Sequence, residues 1–367
     1  MRKDNPRSRW PHRLKCAVSA IALWLGLLGL LAVFCFLFPG PLSTPEMRVH
    51  YPMEFLRGLT QGGLLVGLAL GLTGLFFATQ RLRSAIAVLL AGAALALGGG
   101  YAQPWGDTLD APVIGLDFLV LDLFALCLLF VPLERALGKP QPVLRRGWRV
   151  DLVHFGVCHA LVGLIAAASV VPAHVLFSWA LDFEFRQQIA AWNPVVQFVL
   201  VVLVVDFTCY WLHRAFHAVP FLWRFHAVHH SIEHMDWLAG SRQHLGDILV
   251  TRAAGFVPVF VLGFADVAVY AYILLISFHA VFIHANARVG LGWFGRVLTS
   301  PRYHHWHHTD QAGLLDKNFA VLLPVWDVLF GTALWRKDWP ESYGLSGDGM
   351  PESWLGQLIA PLRRQRQ

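Results

Sequence analysis

Long apolar runs separated by short polar stretches dominate the chain. Residues 17–38, 62–78, 84–100, 113–133, 153–181 and 195–212 hold very few charged side chains. Each run approaches or exceeds the roughly 20 residues that carry an α-helix across a bilayer. A further run, 248–284, is too long for one span and is interrupted at 263–266 (GFAD), which predicts a helical hairpin or a re-entrant pair. The pattern therefore predicts an all-α integral membrane protein, a multi-span bundle of about six to eight spans.

Composition agrees with that reading. The chain is 56% hydrophobic and 14% charged, with mean hydropathy +0.53, whereas a soluble domain carries about 25% charged residues. The basic start, MRKDNPRSRWPHRLK, leads into an apolar run ending in FCFLFPGPL. A cleavable signal would have a shorter apolar core and a small-residue cleavage site, so a retained signal anchor is expected. Five scattered cysteines, Cys16, Cys35, Cys127, Cys158 and Cys209, form no CxxC pair. Neither a disulfide framework nor a thiolate metal site is indicated.

The net charge of +6 follows topology. Short loops rich in Lys and Arg face the cytoplasm. QRLR at 80–83 and ERALGKPQPVLRRGWR at 134–149 are basic, whereas GDTLDA at 106–111 and LDFEFRQQ at 181–188 carry the acids. This places the N-terminus and, the hairpin apart, everything after Leu212 on the cytoplasmic side. A nucleic-acid-binding face would need clustered bases on a soluble domain, and none is present.

The chain divides by character. Residues 1–140 read as an N-terminal transmembrane bundle almost without reactive side chains. Gly63, Gly67 and Gly71 there fall at the four-residue spacing that lets membrane helices approach closely. GKPQPVLRRGWRVD, at 138–151, reads as a linker. Residues 150–336 form a second domain, and 337–367 a cytoplasmic tail. Thirteen of the eighteen histidines lie between His213 and His308.

Those histidines form three boxes. DFTCYWLHRAFH gives His213 and His217 as HxxxH, and FHAVHH gives His226, His229 and His230 as HxxHH. HHWHH repeats that spacing with His304, His307 and His308. On a helix, positions i, i+3 and i+4 share one face, so each box aims its imidazoles at one region. Eight imidazoles exceed what one tetrahedral zinc can use, so two metals sharing the ligands are expected, in a helical histidine-rich cap on the cytoplasmic side. A nitrogen-rich, thiolate-free set suits iron, copper, nickel or zinc.

Around the boxes, His279 and His284 lie five residues apart, about 140° around a helix, so only one of them reaches a shared metal. His284, nearer the membrane exit, is the expected one. His244 is a weaker candidate, and His234 and His305 fall outside the spacing. Asp206, seven residues before His213 and costly inside a span, is expected to orient an imidazole. Asp310, Asp316 and Asn318 follow the last box and are expected to do the same. GLGWFG at 290–295 matches GxGxxG, but that fingerprint has meaning only between a strand and a helix of a βαβ unit. It reads as a turn.

DFTCYWLHRAFH, WRFHAVHHS, FIHANAR, SPRYHHWHH and DKNFAVLLPVWDVLFGT, taken in this order, resemble the fatty acid hydroxylase superfamily, also called the sterol desaturase family. The resemblance covers roughly residues 150–336 and leaves the first 140 outside it. It implies a membrane di-iron oxygenase with two iron ions bound by His213, His217, His226, His229, His230, His304, His307 and His308, with His284 as a ninth ligand. O2 would be the co-substrate and a membrane lipid the substrate: an acyl chain, a sterol-like lipid, a carotenoid or an ether lipid. Hydroxylation or desaturation of a C–H bond would follow. The chain carries no flavin, nicotinamide or haem module, so the resemblance also implies a separate electron donor, a reductase, ferredoxin or cytochrome. A zinc-dependent membrane hydrolase and a metal transporter or sensor are the alternative readings. Transporter ligands belong near the bilayer midplane, whereas these boxes stand at the ends of spans.

Overall fold

A computed structural model describes residues 12–43, 52–77, 80–105, 115–142, 145–161, 164, 171, 173–345 and 349–363. Among these residues the structure is helical, with no named strand and one isolated bridge between Thr309 and Tyr343. The longer helices are α1 (His12–Leu37), α2 (Met53–Phe77), α3 (Arg81–Ala96), α4 (Leu116–Leu137), α5 (Trp148–Ala160), α6 (Pro194–Ala218), α7 (Pro220–His230), α8 (Leu245–Leu262) and α9 (Asp266–His284). Three short helices follow: α10 (Pro301–His305), α11 (Val325–Leu329) and α12 (Trp354–Ile359).

Six helices among the described residues are long and apolar enough to cross a membrane: Ala17–Leu37, Met53–Phe76, Arg81–Tyr101, Pro194–Ala218, Leu245–Leu262 and Asp266–His284. The predicted hairpin breaks where the sequence suggested. Gly263 caps α8 at φ +73°, a left-handed conformation that a Cβ disfavours. The predicted run 153–181 lies partly outside the described residues, and what is described begins as the 13-residue α5. The acidic stretch 106–111 lies wholly outside them.

The chain falls into two compact units, Met1–Phe124 with His159–Gly163, and Ala125–Cys158 with Leu164–Gln367. In the first, α1, α2 and α3 pack on one another around Val33, Leu37, Leu64, Ala91 and Ala94. Two of the three spaced glycines are close-approach points. A Cβ on Gly67 would stand 2.9 Å from Leu25 Cβ, and one on Gly71 would stand 2.8 Å from Val88 Cγ2. Gly63 has more room, with Leu25 Cδ2 at 3.9 Å.

In the second unit α6 packs against α7, α8 and α9. Its core gathers Val201, Val202, Val205, Val259, Phe264, Ala268, Tyr272 and Leu322. The stretch read as a linker is anchored here rather than loose. Arg145 is buried and donates from Nε and Nη2 to both oxygens of Asp236, while Nη1 pairs with Asp151 at 2.6 Å. Asp151 also pairs with Arg242. Glu134 Oε1, in α4, accepts from the backbone N–H groups of Trp237 (2.6 Å) and Asn286 (2.9 Å). That carboxylate ties α4 to the backbone just beyond His284.

Candidate metal centre

Four elements deliver the imidazoles. α6 ends with His213 and His217 on one face, one turn apart. The chain then turns at Val219, and Pro220 takes the first position of α7, where a missing N–H is harmless. α7 packs back against α6 and presents His226, His229 and His230. α9 brings His284 at its last position. Ser300 Oγ accepts from Tyr303 N and caps α10, which carries His304; the turn that follows carries His307 and His308.

The nine imidazoles fall into two sets. His213, His217, His226, His230 and His307 offer ring nitrogens that all lie within 4.8 Å of one another, and so do His229, His284, His304 and His308. His217 is half-buried and the other eight are buried.

Hydrogen bonds decide which nitrogens face inward. Nδ1 of His213 meets Phe319 O (2.7 Å), His229 meets Arg242 O (3.0 Å), His284 meets Ala280 O (2.6 Å) and His307 meets Lys317 O (2.8 Å). His226 Nδ1 meets Asp247 Oδ2 (2.7 Å), and His217 Nδ1 meets Asp316 Oδ1 (2.9 Å). Carbonyl and carboxylate oxygens only accept, so each Nδ1 carries the proton and each Nε2 is left with a bare lone pair. Nevertheless Nε2 of His213 and His226 stand 3.0 Å apart, and those of His229 and His284 stand 3.2 Å apart. Two lone pairs at that separation repel unless a cation lies between them. His307 Nε2, His304 Nδ1 and His308 Nδ1 are buried without a partner. Both sets thus fit a metal ion: neutral imidazoles converging through Nε2, six of the nine held from behind through Nδ1.

The electrostatics keep the rings in the ligating form. Burial, then repulsion from neighbouring rings, holds His226, His230, His304, His307 and His308 well below the ordinary imidazole value of 6.5. Burial and the adjacent His284 do the same for His229.

The expected orienting residues divide. Asp316 accepts from His217 Nδ1, and that hydrogen bond holds its carboxyl below the usual range. Asp206 does not reach an imidazole; it accepts from Leu322 N, Leu323 N and Trp326 Nε1. Helical periodicity put it on the face of His213, but the loop 319–326 occupies that side first. Asp310 accepts from Ser342 Oγ. Asn318 orients backbone rather than a ring. Its Nδ2 donates to Tyr303 O and Leu334 O, and its Oδ1 accepts from Leu334 N.

His279 belongs to neither set. His244 caps α8, accepting from Gly246 N, and its Nε2 meets Leu358 O. His305 Nδ1 meets Tyr343 OH, and His234 is exposed.

Sequence reasoning missed Asp247. Its signal was visible, a carboxylate in the first turn of an apolar helix, but nothing local names His226, 21 residues away, as its partner. The four carbonyls that accept from His213, His229, His284 and His307 carry no sequence signal at all. Asp327 is the other organiser. It is wholly buried and accepts from Phe319 N, Ala320 N, Tyr303 OH and Thr332 Oγ1. It thereby joins the loop that meets His213 to the residue preceding His304.

The fatty acid hydroxylase family model matches residues 198–332. Residues 198–332 thus carry a fatty acid hydroxylase domain, and the curated relatives support the same superfamily. The hydroxylase match takes in all nine imidazoles together with Asp206, Asp247, Asp316, Asn318 and Asp327. Among curated hydroxylases and monooxygenases, the chain is 27% identical over 301 residues to ornithine lipid hydroxylase OlsE of Rhizobium tropici, covering 79% of this chain and 88% of that protein. It is 32% identical over 142 residues to human alkylglycerol monooxygenase, covering 38% of this chain and 31% of that protein. It is 30% identical over 151 residues to fatty acid hydroxylase vlmA of a Lecanicillium species, covering 36% of this chain and 40% of that protein. The likeness to the last two thus spans less than half of each. No solved structure matches the chain.

Proposed function

We propose that this protein is a membrane-bound, O2-dependent lipid hydroxylase whose two histidine sets each hold an iron ion. The observation that carries this reading is the convergence of bare Nε2 lone pairs in two adjoining buried sets, inside a domain whose relatives are lipid hydroxylases and monooxygenases. Bound iron would supply the activation of O2 and the oxidising power to break an unactivated C–H bond, which no acid or nucleophile in the chain could do.

The chain's own residues supply the rest. Backbone carbonyls and the carboxylates of Asp247 and Asp316 hold six rings with their protons pointed outward, so the inward nitrogens stay unprotonated. Burial keeps water from the reacting centre and keeps the imidazoles neutral. Phe319 forms an apolar wall whose ring lies 5.0–5.6 Å from those of His217, His213 and His307. Electrons come from a separate donor. The basic loops 80–83 and 134–149 support a cytoplasmic position for the histidine sets. Among lipids, the nearly end-to-end likeness to an ornithine lipid hydroxylase favours an amino-acid-containing membrane lipid over an ether lipid, for which the likeness is confined to part of each chain.

The test is a metal count joined to a product analysis. The purified chain should hold two irons, and His226→Ala and His304→Ala should each lose metal from one set. Expression in a host that makes ornithine lipid should give a lipid that has gained one oxygen atom, absent with either variant. Zinc in place of iron in active protein, or metal content unchanged by both substitutions, would overturn the reading.

A further inference from the structure

The stretch after the third histidine box, residues 319–330, is short and apolar, irregular up to the five-residue helix α11, and Asp327 is its one charged residue. Two buried carboxylates meet four of its backbone N–H groups and one indole N–H. Asp327 takes Phe319 N (2.8 Å) and Ala320 N (2.9 Å), while Asp206 takes Leu322 N (3.1 Å), Leu323 N (2.9 Å) and Trp326 Nε1 (3.0 Å). Asp206 stands at the middle of the 25-residue apolar helix α6. At 1.5 Å per residue it lies about 18 Å from either end. Phe207 and Trp211, beside it on α6, meet the same stretch edge-on: Phe207 with Trp326 (5.0 Å) and Trp211 with Phe330 (4.8 Å).

The other side of the stretch is bare. Val325 is 41% exposed, Val328 55% and Leu329 63%. Such a patch is unfavourable in water, and irregular backbone is tolerated at membrane depth only where protein satisfies its N–H groups. Here an exposed apolar patch and carboxylate-paired N–H groups occur on one segment. We propose that residues 319–330 form a re-entrant segment embedded in the bilayer beside α6, with Val325, Val328 and Leu329 against lipid acyl chains. The inference rests on the reading of α6 as a membrane span. It revises the charge-based expectation that everything after Leu212, the hairpin apart, is cytoplasmic. Because Phe319 opens the segment and touches the first histidine set, the segment joins the hydrocarbon phase to the metal site.

Benzophenone crosslinking tests it with the full chain and its native cysteines. The photoreactive residue p-benzoylphenylalanine is placed singly at Val328, at Leu329, at Val199 on the exposed face of α6, and at Glu352. Each variant is reconstituted in phosphatidylethanolamine–phosphatidylglycerol vesicles, irradiated and weighed intact. The expected result is a lipid adduct at Val328, Leu329 and Val199 and none at Glu352. Adducts at Val199 with none at Val328 or Leu329 would overturn the inference while leaving α6 in the membrane. The absence of an adduct at Val199 would overturn the membrane reading of α6, and the inference with it.

Discussion

At the residue scale, the metal centre is an exercise in placing acceptors behind donors. Asp247 is the most informative single side chain, because it is buried and fixes His226 through one 2.7 Å hydrogen bond. Asp247→Ala should lower metal affinity of the set containing His226 by about 10–100-fold, read by titration of the metal-free protein, with the other set still filled. Asp247→Asn should lose less, since its amide oxygen can still accept. Asp316→Ala should have a smaller effect than Asp247→Ala, because the Asp316 side chain is 69% exposed and water can replace it. Equal losses from the two alanine variants would show that burial of the carboxylate does not matter.

At the element scale, helix packing in the first unit depends on where a side chain has room. A Cβ on Gly67 would stand 2.9 Å from Leu25 Cβ, whereas one on Gly62 would meet nothing within 4 Å. Gly67→Leu should therefore destabilise the packing of α1 on α2 by about 1–3 kcal/mol, lowering the thermal unfolding midpoint in detergent. Gly62→Ala should leave that midpoint unchanged or raise it slightly, since alanine favours helix over glycine by about 1 kcal/mol. The histidine boxes follow a similar logic of spacing. HxxxH closes α6 and HxxHH closes α7, so each box needs only a helix to aim it, and each is found on one. The third box is different: α10 ends at His305, and a turn, not a helix, presents His307 and His308.

At the scale of the whole molecule, the burial of so many imidazoles makes stability depend on pH and metal. The folded values of His226, His229, His230, His304, His307 and His308 lie below 6.5, and burial pushes His305 down to about 3. Depressed values mean that the unfolded chain takes up protons first as pH falls. Stability is therefore complete above 6.5 and is lost progressively below it. The metal-free protein should show a falling thermal midpoint as pH drops from above 6.5 to about 5, and the metal-loaded protein should release metal in the same window. A midpoint that rises on acidification would contradict the neutral, buried state of these rings. Chelation at neutral pH should lower the midpoint as well, because a ligand bound only to the folded state stabilises it.

Much of this protein was legible in the sequence. Apolar length set the spans, since backbone groups in hydrocarbon must bond within a helix. The hairpin break was legible for a local reason, Gly263 and the polar Asp266 three positions on interrupting the apolar run. The boxes were legible because their spacing matches the helical repeat; the His279–His284 separation showed that only one of the two could join a set, and His284, nearer the membrane exit, is the one the structure groups. What the sequence could not show is how nine imidazoles divide between two sets. His229 and His230 are neighbours in the chain, yet they lie in different sets, because successive residues on a helix point about 100° apart and the partners come from other elements. Nor could it show that Asp206 serves a loop rather than a ring, that Asp247 serves His226, or that bare carbonyls set the tautomers. Those assignments depend on which distant backbone arrives beside which side chain, and only the tertiary structure decides that.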